Sequence, residues 1–329
     1  MPALGASLWS FSKIGSGSVR GVERRLKTGI AGAGVFGGHH ARKHAASPRI
    51  DLAGVFDPDS SRAAALAAET GARAVDNYDS LLAGVDAVAI AAPAGAHFGM
   101  ARRALEAGRH VYVEKPLALS LAEADALIAL AEARGLALQV GHQERFVLAA
   151  MGLPRGDRLP LAMEFGRSGP ATGRGEDVAV TLDLMIHDLD LARLFGFARP
   201  LKIDACGGYD ETVATLTFDG GKTASFVASR RSDVRQRLMK AVYDDGEIEI
   251  DFLNRTILNR TGAMLAANDF AGGPAALADP LGASVEAFAA AALDGKRAVI
   301  DGKAGRGALE WALMIEEALE ASGYSRKFA

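Results

Sequence analysis

From residue 28 to residue 142, short apolar runs alternate with longer segments whose apolar residues recur every three or four positions. The runs "TGIAGAG", "DLAGVFD" (51–57), "DAVAIAAP" (86–93), "HVYVEKP" (110–116) and "LALQVGH" (136–142) predict strands. Between them, "SSRAAALAAETG", "HFGMARRALEAG" and "SLAEADALIALAEARG" predict helices, each closed by a glycine that favours a left-handed stop. Ser120 with Glu123 makes a capping box for the third. Strands alternating with helices of this length predict parallel βαβ units with helices on both faces. Ligands of such sheets bind beyond the carboxyl ends of the strands. Asp57, Pro93, Glu114, Lys115 and His142 all fall there.

Past residue 143 the rhythm changes. "RLPLAMEFGR" (158–167) predicts a strand, "SGPATGRGED" a Gly-rich loop, and "VTLDLMIHDLDLARLFG" (180–196) a long apolar helix. "LKIDACGG", "ETVATLTFDG", "KTASFVASRR", "RLMKAVYDDG" and "EIEIDFL" follow with no helix between them, which predicts hairpins and a largely antiparallel sheet. Helices near 281–294 and 303–322 close the chain. The expected architecture is α/β: a doubly wound parallel sheet over 27–142, then an α+β domain with an open, mainly antiparallel sheet over 143–329. Residues 1–26 read as a loose N-terminal extension, too broken by Gly and Ser to span a membrane and without a convincing cleavage site.

Composition narrows the function classes. The 329 residues suffice for two domains, and 49% hydrophobic with 23% charged residues is ordinary globular usage. With 37 basic and 40 acidic residues the net charge is −3, so a nucleic-acid partner is not expected. No apolar stretch has membrane length and character, so no membrane partner is expected either. The single cysteine, Cys206, forms no internal disulfide and no zinc cluster, which fits a reducing, cytoplasmic setting.

"GAGVFG" supplies Gly32, Gly34, Val35, Phe36 and Gly37 after a strand and before a helix, with Asp57 twenty residues beyond Gly37. That context turns G-x-G-x-x-G into a dinucleotide fingerprint and makes the first unit a Rossmann domain. The glycines let backbone N–H groups approach a pyrophosphate. Asp57 would accept from the adenine-ribose hydroxyls and repel a 2′-phosphate, favouring NAD; NADP stays open because Arg62 could partner a phosphate. "EKP" places Lys115 where the nicotinamide half should arrive, and an ammonium there can offset charge developing on an alcohol oxygen. A solvated turn lysine is the plainer reading of those three residues. Asp183 and His187, four apart in "DLMIHDLD", share a helix face as either a satisfied core pair or a base and its orienter. No third convincing ligand accompanies them, so no metal is expected.

Taken together and in order, "GAGVFG", "AAPAGAH" (91–97), "EKP", "GHQERF" (141–146) and "TLDLMIHDLD" (181–190) resemble the glucose–fructose oxidoreductase/inositol dehydrogenase/rhizopine-catabolism (Gfo/Idh/MocA) family from about residue 27 to the C-terminus. The resemblance implies Lys115, Asp183 and His187 at the catalytic positions, with Pro93 and His97 lining the nicotinamide side and Glu114 beside the cofactor. It also implies a cis bond before Pro116 and subunits paired through the open sheet. On this reading a hydride passes between NAD and a secondary hydroxyl of a sugar, with His187 oriented by Asp183 or Lys115. Either Lys115 or His187 is the immediate base. Among the branches, "GHQERF" and "DLMIHDLDL" look most like the one oxidising the 3-hydroxyl of UDP-N-acetylglucosamine. Val147-Leu148 departs from that branch and Val180-Thr181 from many relatives, both on the substrate side. His142, Gln143 and Arg145 are expected on the substrate, and Arg167 with Arg174 around its diphosphate. A cyclitol or other polyol dehydrogenase and a non-catalytic NAD sensor are the competing readings.

Overall fold

The computed structural model describes residues 24–154, 158–173, 175–271 and 273–323. The expected extension lies outside the described residues up to residue 23, and so does Arg174. The first strand begins at Leu26, two residues earlier than the apolar pattern suggested.

Six strands, β1 (Leu26–Ala31), β2 (Ile50–Phe56), β3 (Arg73–Ala74), β4 (Ala87–Ile90), β5 (His110–Val113) and β6 (Leu138–Val140), form a parallel sheet in the order β3-β2-β1-β4-β5-β6. The winding reverses between β1 and β4, and that switch point opens the crevice in which such sheets bind ligands. Helices α1 (Val35–Ala46), α2 (Ser60–Thr70), α3 (Tyr78–Ala83), α4 (Ala94–Glu106) and α5 (Leu121–Arg134) cross between the strands. The glycine stops are as expected: Gly71 and Gly135 take φ of 72° and 63°. The predicted capping box also forms. Ser120 Oγ accepts from Glu123 N at 3.2 Å, while the Glu123 carboxylate accepts from Leu119 N, one residue before the usual donor.

After α6 (Glu144–Ala150) comes a second sheet of β7 (Ala162–Pro170), β8 (Lys202–Gly207), β9 (Glu211–Thr217), β10 (Thr223–Ser229), β11 (Arg231–Tyr243), β12 (Gly246–Asp251) and β13 (Thr256–Asn259). Its order is β13-β12-β11-β7-β10-β9-β8, and only the β7–β10 pair is parallel. Met163, Phe165, Leu216, Phe226 and Met239 bury one face, while Val213, Val227 and Leu238 stand exposed on the other. This is the alternation of a sheet covered on one side.

The long helix expected over 180–196 is two pieces. A wide π-helical turn, Thr181–Met185, runs into α7 (Ile186–Leu194). The closing helices are α8 (Ala275–Ala278), α9 (Pro280–Asp294) and α10 (Gly302–Ala321). Helix α9 reaches back to the first sheet, where Val285 and Phe288 pack in one core with Ile30 and Tyr112. Burying a ring such as Phe288 stabilises by roughly 1.5–3 kcal/mol. Helix α10 joins the two halves: Arg306 pairs with Asp125 of α5, and Trp311 lies under Arg193 of α7.

Candidate active site

The turn from β1 into α1 needs its glycines for different reasons. Gly32 holds φ +101°, and a Cβ there would meet Ala91 O at 2.4 Å. A Cβ on Gly37 would fall 1.8 Å from Gly32 O, so no side chain fits where α1 leaves the strand. Around Gly34, by contrast, nothing lies within 4 Å of a built Cβ, and no side chain caps the first helical N–H groups. An anion can approach there along the helix axis. Half-exposed Val35 and Phe36 flank the opening. Asp57, at the end of β2, accepts from Ala33 N at 2.7 Å and from Asp59 N at 2.8 Å, which locks it beside the turn. Arg62 is tied to Asp59 at 3.2 Å in an exposed pair. The open cradle, the free helix end and the fixed carboxylate fit a dinucleotide without a 2′-phosphate.

Lys115 follows β5, with a cis bond to Pro116. Its Nζ donates to the Asp183 carbonyl oxygen at 2.6 Å and to Asp183 Oδ1 at 2.8 Å. The strand end of the first sheet therefore meets the π-turn of the second unit. Asp183 is held from the other side by Arg230, whose NH1 lies 3.7 Å from Oδ2. Buried Arg230 also donates to the carbonyls of Gly175, Val178 and Tyr209, and so pins the Gly-rich loop around Asp183. Gly175 is required there: at φ +67°, its Cβ would lie 2.6 Å from the Asp183 carboxylate. The same loop sends Asp177 Oδ2 to Ala94 N at 3.1 Å, the first amide of α4, next to Pro93.

His187 is oriented by neither Asp183 nor Lys115. Its Nδ1 lies 3.1 Å from Glu144 Oε2, in a contact too oblique for a well-formed hydrogen bond. Glu144 is held in turn by Arg167 NH1 at 3.1 Å, and Arg167 makes a fork onto Asp188 at 2.7–3.1 Å. Burial alone would raise the Glu144 carboxyl; the His187 ring and the Arg167 guanidinium hold it well below its usual range. Burial pushes the His187 imidazole down to about 4, so it is neutral near pH 7. The buried ring of His142 meets the His187 ring edge-on at 6.1 Å between centroids.

The remaining expected positions are held by protein partners. Buried His97 has Nδ1 2.7 Å from Pro116 O and Nε2 2.9 Å from Ala92 O, so it links the "AAP" and "EKP" turns. Glu114 receives His40 Nε2 at 2.7 Å and Gln143 Nε2 at 2.9 Å, in space that Gly141 leaves clear. Arg145 forks onto buried Asp190 at 2.5 and 2.6 Å. Gln143, Arg145 and Arg167 thus spend donors inside the protein, where sequence reasoning had turned them toward a substrate. Sequence reasoning missed Glu144, Arg230, Asp188 and Asp190. Glu144 stood in plain view inside "GHQERF", between two chosen residues; Arg230 carried no local signal.

The open turn after β1 fits a dinucleotide, and Lys115 of the first unit reaches Asp183 of the second, one helical turn from His187. The chain belongs to the Gfo/Idh/MocA oxidoreductases: the family model for an oxidoreductase family with an NAD-binding Rossmann fold matches residues 26–142. It binds NAD. A UDP-N-acetylglucosamine 3-dehydrogenase of Acidithiobacillus ferrooxidans is 39% identical over 308 residues, covering 90% of this chain and 98% of that protein. A solved structure of that enzyme superposes with a TM-score of 0.80 at 38% identity, covering 90% of this chain and 98% of the other. A scyllo-inositol 2-dehydrogenase (NAD(+)) of Bacillus subtilis is 30% identical over 74% of this chain and 79% of its own length.

Proposed function

We propose that this protein oxidises a secondary hydroxyl of a nucleotide sugar with NAD, the substrate being UDP-N-acetylglucosamine and the position its 3-hydroxyl. The observation that carries the reading is the Lys115–Asp183 pair, which brings an amine from the first unit to the polar cluster of the second. Similarity to the Acidithiobacillus ferrooxidans enzyme over nearly its whole length supplies the substrate class.

Residues Gly32–Gly37 and Asp57 would hold NAD, which when bound takes up the hydride. Lys115 Nζ, fixed by Asp183, holds the hydroxyl oxygen and offsets charge that develops on it. His187 is the base. Glu144 on the Nδ1 side leaves Nε2 as the lone pair, and a neutral imidazole can accept the hydroxyl proton. Arg145 and Arg167 shape the pocket wall through Asp190 and Asp188. In this reading His142 and Gln143 back the substrate side, and Pro93, His97 and Glu114 the nicotinamide side.

The division of labour follows the chain: residues 27–142 take NAD and residues 143–329 the sugar, with α9 reaching back. Copies pair through the open sheet, where Val213 and Val227 sit side by side and exposed. No helix among the described residues is long and apolar enough to cross a membrane, and Cys206 is a free, exposed thiol. An unpaired thiol suits a reducing compartment, and we place the enzyme in the cytoplasm.

The test is NADH formation with UDP-N-acetylglucosamine beside myo-inositol, scyllo-inositol and free glucose. Turnover of the nucleotide sugar at a kcat/KM well above the others supports the reading. Preference for an inositol would move the protein to the cyclitol branch, the alternative that the Bacillus subtilis relative favours.

A further inference from the structure

The guanidiniums around the catalytic cluster divide into two kinds. Arg145, Arg167 and Arg230 are committed to carboxylates or carbonyls. Arg235 and Arg237 make no ion pair or side-chain hydrogen bond among the described residues, and both are exposed. Their place in the sheet is defined by register. Arg237 stands directly opposite Arg167 across β11 and β7, and directly opposed residues share a face. Further along, the same alternation pairs Met239 with Phe165, both buried on the helix-covered side. Arg237 therefore lies one step past the last core pair, on the face that carries Arg167, Glu144 and His187. Arg235 occupies this face too: a Cβ on Gly169 would come 3.2 Å from Arg235 Cγ, so the glycine clears space for it. An irregularity in β11 between Arg231 and Gln236 re-aims this stretch of strand, as bulges beside active sites do.

Arg167, Arg235 and Arg237 thus share one stretch of this face, beside Glu144 and His187. Arg237 feels the like charges of Arg167 and Arg235 and the opposite charges of Glu144 and Asp188. Like charges with vacant planar donors are an arrangement that an anion completes, and a guanidinium fork matches phosphate oxygens. We infer that Arg235 and Arg237 form the subsite for the diphosphate of the substrate; the inference rests on the nucleotide-sugar reading above. Arg167, expected there from sequence, instead serves as the inner buttress that holds Glu144.

The test is calorimetric titration of UDP into the NADH-loaded protein, for the wild type, Arg235→Gln, Arg237→Gln and the double variant. Loss of a charge-assisted hydrogen bond should weaken UDP about tenfold per single variant and more in the double. NADH affinity and Tm should stay as in the wild type. Arg237→Lys should recover part of the loss, and added salt should weaken UDP binding less in the double variant than in the wild type. In turnover of UDP-N-acetylglucosamine the loss should fall on KM more than on kcat. Equal UDP affinity in wild type and double variant overturns the subsite and leaves the nucleotide-sugar reading standing. A wild type that neither binds UDP nor oxidises UDP-N-acetylglucosamine overturns both.

Discussion

Glu144 Oε2 lies 3.1 Å from His187 Nδ1, and the same carboxylate holds Arg167 NH1 at 3.1 Å. Even without a well-aligned hydrogen bond, the negative charge beside Nδ1 favours the tautomer with its proton there and leaves Nε2 as the acceptor. Glu144→Gln keeps the shape but offers a donor as well, so the tautomer is no longer enforced. The expected result is a fall in kcat of roughly 10²-fold, with NAD affinity retained and Tm little changed because Asp188 still holds Arg167. Steady-state kinetics beside a thermal melt check this. An unchanged kcat would return Glu144 to a purely structural role.

Acid should act on this protein through its buried histidines. Burial lowers His187 to about 4 and His44 to about 3, from 6.5. Between those values the unfolded chain binds more protons than the folded one, so stability is whole above about 6.5 and lost as pH falls through about 4. The melting temperature should decline progressively below pH ~6.5. The acid limb of kcat/KM should follow a pKa near 4. A limb between 6 and 7 would mean that His187 ionises like a free imidazole.

The glycine turn separates stability from cofactor binding. Gly37→Ala forces a methyl into Gly32 O and should prevent stable folding or cost several kcal/mol. Gly34→Ala meets nothing in the protein, so its Tm should match the wild type. Its methyl intrudes where the pyrophosphate approaches, so NAD affinity should fall about tenfold or more. Fluorescence titration of NADH with each soluble variant reads the difference. Undiminished NADH affinity in Gly34→Ala would place the pyrophosphate elsewhere.

Arg230 is buried and ties the Gly-rich loop to Asp183. Arg230→Met should cost about 3 kcal/mol, because breaking a buried ionic network strands its partners. Urea unfolding measures it. A loss under about 1 kcal/mol would show that the loop is held by other contacts.

Most of the fold was legible because its signals are local. Buried apolar runs, glycine stops such as Gly71 and Gly135, and the Ser120 cap each act within a turn or two. The π-turn at Thr181–Met185 was not legible, since an i,i+4 reading of Asp183 and His187 assumes a regular helix. Lys115 Nζ takes the Asp183 carbonyl, an acceptor that a helix ladder ordinarily uses, and the wide turn sits there. Lys115, Asp183 and His187 were marked out by the family resemblance, and the structure brings Lys115 onto Asp183. Their partners were not, because the approach of Glu144 to His187, and of Arg230 to Asp183, is set by packing between segments 43 and 47 residues apart. The arginines show the same limit: charge type could be read from sequence, whereas the donors left free follow from the β7–β11 register.

In the proposed mechanism Lys115 and His187 act together on one hydroxyl across the two units. Single-turnover hydride transfer from UDP-N-acetylglucosamine to bound NAD, followed in wild type, Lys115→Met and His187→Asn, tests it most directly. Both variants should bind NAD normally and form NADH at least roughly 10²-fold more slowly than wild type. Wild-type rates in both variants would contradict it.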